Sequence, residues 1–250
     1  MMPGAGPEAG AGWRRWRPMT FGSRPAHAIR DPVLEPLWPG RRVLVHVAVG
    51  EPGRASIEIV DEEGIALAGH PDIRETLTET VLAQEAVLDG YLVELPRRSA
   101  AGFFGGEAAV PVPGLSATTR QMVVGGRGPS RPAPVSSGGL QAGAVQGPPE
   151  REAASPAAGL VGGFVAVDLL SLDGEPLLEV PLLERKRLLD SALAASELVR
   201  RGPHVRPPGT HWYGQWRAFG FREIAVKSAN GRYRPGQPSD DWAVAPLPRG

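Results

Sequence analysis

The chain has 250 residues, no net charge, no cysteine, and 33 glycines with 27 prolines. A disulfide framework and a thiolate metal site are thereby excluded, and neutrality removes any bulk electrostatic attraction to nucleic acid. Basic residues are almost all arginine, the only lysines being Lys186 and Lys227, a usage that a GC-rich coding sequence accounts for.

The opening segment, residues 1–17, carries no apolar run, so it reads as neither a secretory leader nor a membrane span. A cytoplasmic protein is expected. Trp13 and Trp16 sit among Arg14, Arg15 and Arg17, a composition read as a loose, disordered tail rather than a nucleic-acid-binding arm. An ordered domain is expected over 18–250. Its first strand is Arg42–Val47, ended by Gly50 and Pro52-Gly53, with Ala55–Val60 as hairpin partner. Ile65–Ala68 reads as a third strand. Pro71–Gln84 has helical character, with Ile73, Leu77, Val81 and Leu82 at helical spacing. Ala86–Leu95 returns to strand, interrupted by an Asp89-Gly90 turn.

From about 125 to 159 the chain is rich in Gly, Pro, Ser and Ala. Such a stretch buries too little apolar surface to offset its chain entropy, so a flexible insertion extending from the edge of the fold is expected. Order resumes at the apolar strand Phe164–Leu170 and the turn Ser171-Leu172-Asp173-Gly174. Pro181–Val199 reads as a helix with Leu182, Leu183, Leu189 and Leu193 on one side. A second helix is expected over His211–Phe219, then strands at Arg222–Lys227 and Trp242–Ala245. Hairpins rather than regular βαβ units point to an α+β fold. His27, His46, His70, His204 and His211 show no metal-ligand spacing. The aromatics Trp212, Tyr213, Trp216 and Phe219 beside His211 read as packing.

Several segments, in order, resemble the adenylation domain of ATP-dependent DNA ligases, especially the bacterial end-joining type. Ala86 to Val93 (AVLDGYLV) resembles the family's AVLDGELV. Phe164 to Gly174 (FVAVDLLSLDG) is similar to its FxAFDLLYLDG. Pro181 to Arg185 resembles its PLLER helix entry. Tyr233-Arg234-Pro235-Gly236 with Ser239-Asp240-Asp241-Trp242 resembles its YRPGxxSxDW. The resemblance covers roughly 18–124 and 160–246. It implies an adenylation-domain-like (ATP-grasp-like) fold of antiparallel sheets flanked by helices, here without the OB-fold that closes over a nick. It also implies ATP and Mg as cofactors, nicked or broken DNA or a repair protein as partner, a place in DNA repair and recombination, and no membrane association.

In the family a lysine within a KxDGxR pattern attacks the α-phosphate of ATP, because an amine of lowered pKa is a good nucleophile. The matching segment here is Leu37-Trp38-Pro39-Gly40-Arg41-Arg42. Gly40 and Arg42 match, but the lysine position is Leu37 and the aspartate position is Pro39. Leucine has no lone pair, so no lysyl-AMP forms there. Only Lys186, expected to face solvent, or Lys227, matching the lysine of the family's EGxVxK strand, supplies another amine. Four further positions depart. A metal-linked carboxylate is replaced by Tyr91, the adenine-stacking aromatic by Val167, and two triphosphate lysines by Val244 and Pro246. In the EGxVxK strand the glutamate falls on Arg222, with Glu223 one place off and so on the other face. The candidate remnant nucleotide pocket is Gly40, Arg42, Asp89, Phe164 and Lys227. Phe164 is expected on the strand face opposite Val167, while Asp168 is expected to cap or pair inside the fold. The pattern reads as a fold kept and a catalysis lost. An active ligase or nucleotidyltransferase by a rerouted mechanism, and a non-catalytic interaction module, are the alternatives.

Overall fold

The computed structural model describes residues 9–50, 55–96 and 160–248; the Gly/Pro-rich stretch at about 125–159 lies outside them. In chain order the strands are β1 (Thr20–Phe21), β2 (Pro32–Pro36), β3 (Gly40–Val49), β4 (Ala55–Asp61), β5 (Glu85–Pro96), β6 (Leu160–Leu172), β7 (Glu175–Pro176), β8 (Val199–Arg201), β9 (Glu223–Ser228), β10 (Pro238–Ser239) and β11 (Trp242–Pro246). The helices are α1 (Pro71–Thr80), α2 (Leu182–Ala192) and α3 (Thr210–Ala218). A large sheet runs β4-β3-β5-β6-β7, antiparallel, with β8 added parallel to β6. A smaller antiparallel sheet runs β11-β9-β2. The architecture is mixed α and β, with antiparallel hairpins as the sequence pattern predicts.

β3 reads as an unbroken apolar run because both of its faces are buried. Val43, Val45 and Val47 pack with Ile59, Leu88 and Phe164 under Ile73 and Leu77 of α1 and Leu189 of α2. Leu44 points the other way, into a cluster with Trp13, Met19, Tyr233 and Trp242, as a period of two requires. In the smaller sheet, Leu34, Ile224, Val226 and Ala243 pack with Trp216 of α3. Directly paired residues share a face, so the register Val33↔Lys227↔Trp242 sets those side chains, and Glu35 two places on, on the opposite face.

Several boundaries differ from expectation. α1 stops at Thr80, and Leu82 is exposed rather than on the apolar stripe. α2 stops at Ala192 instead of continuing to Val199. The two helix ends are tied together by Leu82 N–H to the Ala192 carbonyl and Ala194 N–H to the Thr80 carbonyl, 2.8 Å each. Those bonds satisfy terminal groups that further helix would otherwise need. The third strand at Ile65–Ala68 reduces to a single bridge, Ala66 to Val60. Arg74 of α1 donates to the carbonyls of Gly69, Leu67 and Ile57, and Leu67 N–H donates to Ile59 at 2.8 Å, covering the outer edge of β4.

Part of the expected N-terminal tail is ordered. Ala9–Arg15 form a 3₁₀ helix, and Trp13 is buried, stacked on His46 at 4.4 Å between ring centroids. Arg14 pairs with Glu58 at 2.8 Å. An indole has more apolar area to bury than most side chains, which outweighs the polar composition around it. Among the described residues, no helix is long and apolar enough to cross a membrane.

Candidate functional site

The two sheets meet at a seam lined with buried charge. From the large sheet, Arg42 of β3 and Asp89 of β5 form a two-pronged ion pair. Nε lies 3.0 Å from Oδ1 and Nη2 lies 2.7 Å from Oδ2. The Tyr233 hydroxyl donates to the same Oδ2 at 2.7 Å and accepts from Met19 N–H at 2.9 Å. Asp89 therefore sits within continuous strand, not in a turn. Its neighbour Gly90 is where the β5/β6 register shifts, and a Cβ there would meet the Val165 carbonyl at 2.4 Å and the Phe164 ring at 2.6 Å. Glycine serves a close strand approach, which accounts for the Asp-Gly pair without a reversal. Burial opposes the charge on Arg42, but Asp89 more than offsets it and holds the guanidinium well above its usual pKa.

Beside this pair, Arg185 of α2 clamps Asp168 of β6 with two bonds of 2.8 and 2.7 Å. It also donates to the carbonyls of Val180 (2.5 Å) and Gly231 (3.3 Å). Asp168 thus pairs inside the fold as expected.

The third element joins residues that the sequence pattern does not pair. Glu35 of β2 is 3% exposed, and both lysines of the chain converge on it. Lys186 Nζ lies 2.8 Å from Oε1 and Lys227 Nζ lies 2.9 Å from Oε2. Lys186 also donates to the Val167 carbonyl at 2.5 Å. The expectation that Lys186 faces solvent is therefore corrected. Its residue is 2% exposed, because α2 lays it against β6 and a carboxylate waits across the seam. Burial would raise the Glu35 pKa, but the two ammonium groups hold it at about 2. Burial, aided by repulsion from Lys186, lowers Lys227, and Glu35 only partly restores it. Lys227 lies over the Trp242 ring at 4.1 Å, and Arg42 lies over the same ring at 5.3 Å, so one indole face-contacts two cations.

Of the five pocket candidates, Arg42, Asp89 and Lys227 join this seam. Gly40 lies exposed at the start of β3, where a Cβ would meet the Leu92 carbonyl at 2.2 Å; close approach of β5 explains it. Phe164 does not join them. It packs in the core with Val43 and Leu88, whereas Val165 and Val167 lie in a different cluster, the opposite-face arrangement that strand alternation predicts. Leu37 is half-buried just after β2, its N–H bonded to the Glu223 carbonyl at 3.0 Å. Val244 and Pro246 are exposed on β11. Tyr91 is half-buried, 5.8 Å from Arg42, and burial pushes its hydroxyl up to about 12. Glu35, Arg185, Tyr233 and Trp242 were missed as site residues. For Glu35 the signal was present: an acid inside the apolar run Pro32 to Pro36 needs a buried partner.

His204 borders the seam. Burial, with repulsion from Lys186 and Lys227, brings its pKa down to about 4 against a weaker pull from Glu35. The folded protein then binds fewer protons than the unfolded chain between about pH 4 and the ordinary histidine value near 6.5. Stability is expected to rise with pH across that window. Urea unfolding from pH 4 to 7 checks this; His204→Asn should flatten the slope, and an unchanged slope would count against it.

Two sheets that meet at a seam of buried ion pairs, with helices flanking them, place the chain in a recognisable class. It has the mixed α/β fold of DNA ligase catalytic domains. Specifically, it superposes on "mycobacterial DNA ligase D complexed with ATP and MES" with a TM-score of 0.55 and 19% identity, covering 92% of this chain and 60% of that one. The ligase domain from M. tuberculosis LigD matches with a TM-score of 0.55 and 21% identity, over 92% of this chain and 59% of that one. This chain thus spans about 60% of the length of these ligase chains. No family model matches the sequence, and no curated protein matches it.

Proposed function

We propose that this protein is a ligase-type adenylation fold that has given up lysyl-adenylate chemistry and acts by binding, to broken DNA or to a repair protein. The observation that carries the reading is the engagement of both lysine amines by Glu35, while the attacking position of the resemblance holds Leu37. An amine acts as a nucleophile only with its lone pair free and aimed at phosphorus. Lys227 is buried, paired and stacked on Trp242.

The residues present do not suit ATP with Mg. The two positions that would grip the triphosphate are Val244 and Pro246, the position of the metal-linked acid is Tyr91, and each of the seam's own cations already contacts an internal carboxylate, the two lysines sharing one. No reaction step is derived through that cofactor. Incubation of the whole chain with α-labelled ATP and magnesium tests the reading. No covalent AMP is expected; label mapped to Lys227 or Lys186 would overturn it in favour of a rerouted nucleotidyltransferase.

A further inference from the structure

Four buried cations line the seam, Arg42, Arg185, Lys186 and Lys227, against three buried carboxylates, Glu35, Asp89 and Asp168. The two arginines are each matched by one aspartate in two-pronged geometry. The excess positive charge therefore falls on the two lysines, which share one carboxylate, an oxygen to each amine, at 2.8 and 2.9 Å. Two ammonium groups bridged by the oxygens of one anion make a receptor for a small oxyanion. Beside it, the fully buried Trp242 ring presents its face to Lys227 at 4.1 Å. Burying such an excess is costly unless anionic charge stands close by, and here the chain's own β2 strand delivers it.

We propose that Glu35 is the built-in occupant of a latent oxyanion site formed by Lys186 and Lys227, so that the protein is self-occluded toward phosphate-like groups. The inference rests on the reading that neither lysine is a free nucleophile, and it adds what those lysines hold instead. A carboxylate tethered to its own strand has already lost its translational freedom, so it excludes a dissolved anion from the site.

Removing the plug should expose the receptor. Thermal unfolding of the wild type, of Glu35→Ala and of Glu35→Ala with Lys227→Met is compared in inorganic phosphate and in sodium chloride at matched ionic strength. Glu35→Ala should gain about 3–5 °C from phosphate at roughly ten times its Kd. The wild type and the double variant, whose seam carries the wild-type net charge, should gain nothing beyond the chloride control. If Glu35→Ala does not fold in chloride, recovery of folded protein in phosphate alone is the same positive result. An AMP arm against adenosine distinguishes a nucleotide's phosphate from free phosphate, and a response to either anion supports the proposal. Indifference of Glu35→Ala to both, or an equal response of the wild type, overturns it. The two readings fail differently: covalent AMP on the wild type sinks the loss of chemistry, while an indifferent Glu35→Ala beside an unlabelled wild type sinks only the occluded site.

Discussion

Asp89→Ala is expected to destabilise the protein by about 3–5 kcal/mol, the range for breaking a buried ion pair from one side. Asp89 is fully buried and accepts three hydrogen bonds, two from Arg42 and one from Tyr233. Its removal strands a guanidinium that is itself 6% exposed, and leaves the Tyr233 hydroxyl without its acceptor. Neither group turns readily to water, because Trp242 packs against both and both residues are buried. The loss should appear as a lower urea midpoint at unchanged slope, and as a fall in thermal midpoint of about 2–4 °C per kcal/mol for a chain of this size. Glu58→Ala is the control: it removes the half-buried partner of the exposed Arg14 and should cost under about 1 kcal/mol. Equal effects from the two substitutions would mean that the seam is not the stabilising element described.

Arg185→Ala is expected to cost a comparable amount, about 3–5 kcal/mol, for a different reason. This one side chain joins α2 to β6 through Asp168, to its own helix entry through Val180, and to the loop after β9 through Gly231. Arg185→Lys should recover little, since an ammonium cannot serve a forked carboxylate and two carbonyls at once. Adding Asp168→Ala to Arg185→Ala should cost much less than the sum of the two singles, because they remove one shared interaction. Full additivity in a double-mutant cycle, measured by denaturant unfolding, would show that the pair is not coupled.

The local pattern carried most of the element assignments. The apolar runs at Arg42–Val47 and Phe164–Leu170 and the helical spacing of Ile73 and Leu77 depend on near neighbours, and the structure places strands and a helix at them. The site was less legible, because its partners meet across the chain. Glu35 and Lys227 are 192 residues apart, and Tyr233 and Asp89 are 144 apart. A lone lysine in Pro181 to Asp190 reads as solvated until a carboxylate from another sheet is set opposite. Asp89-Gly90 misled in another way. The pair has turn chemistry, yet the apolar residues on both sides continue as strand, and the glycine answers to the Val165 carbonyl and the Phe164 ring, which no local window contains. Gly40, similarly, answers to Leu92 on the next strand.

The edge of β4 has one more consequence. A border strand with free carbonyls is a template on which a second molecule can add its own strand. In this protein Arg74 engages the Ile57 carbonyl and Leu67 N–H engages that of Ile59, so two successive outward-facing acceptors are already taken from within. Strand addition at that border is opposed jointly by the Arg74 side chain of α1 and the Leu67 backbone.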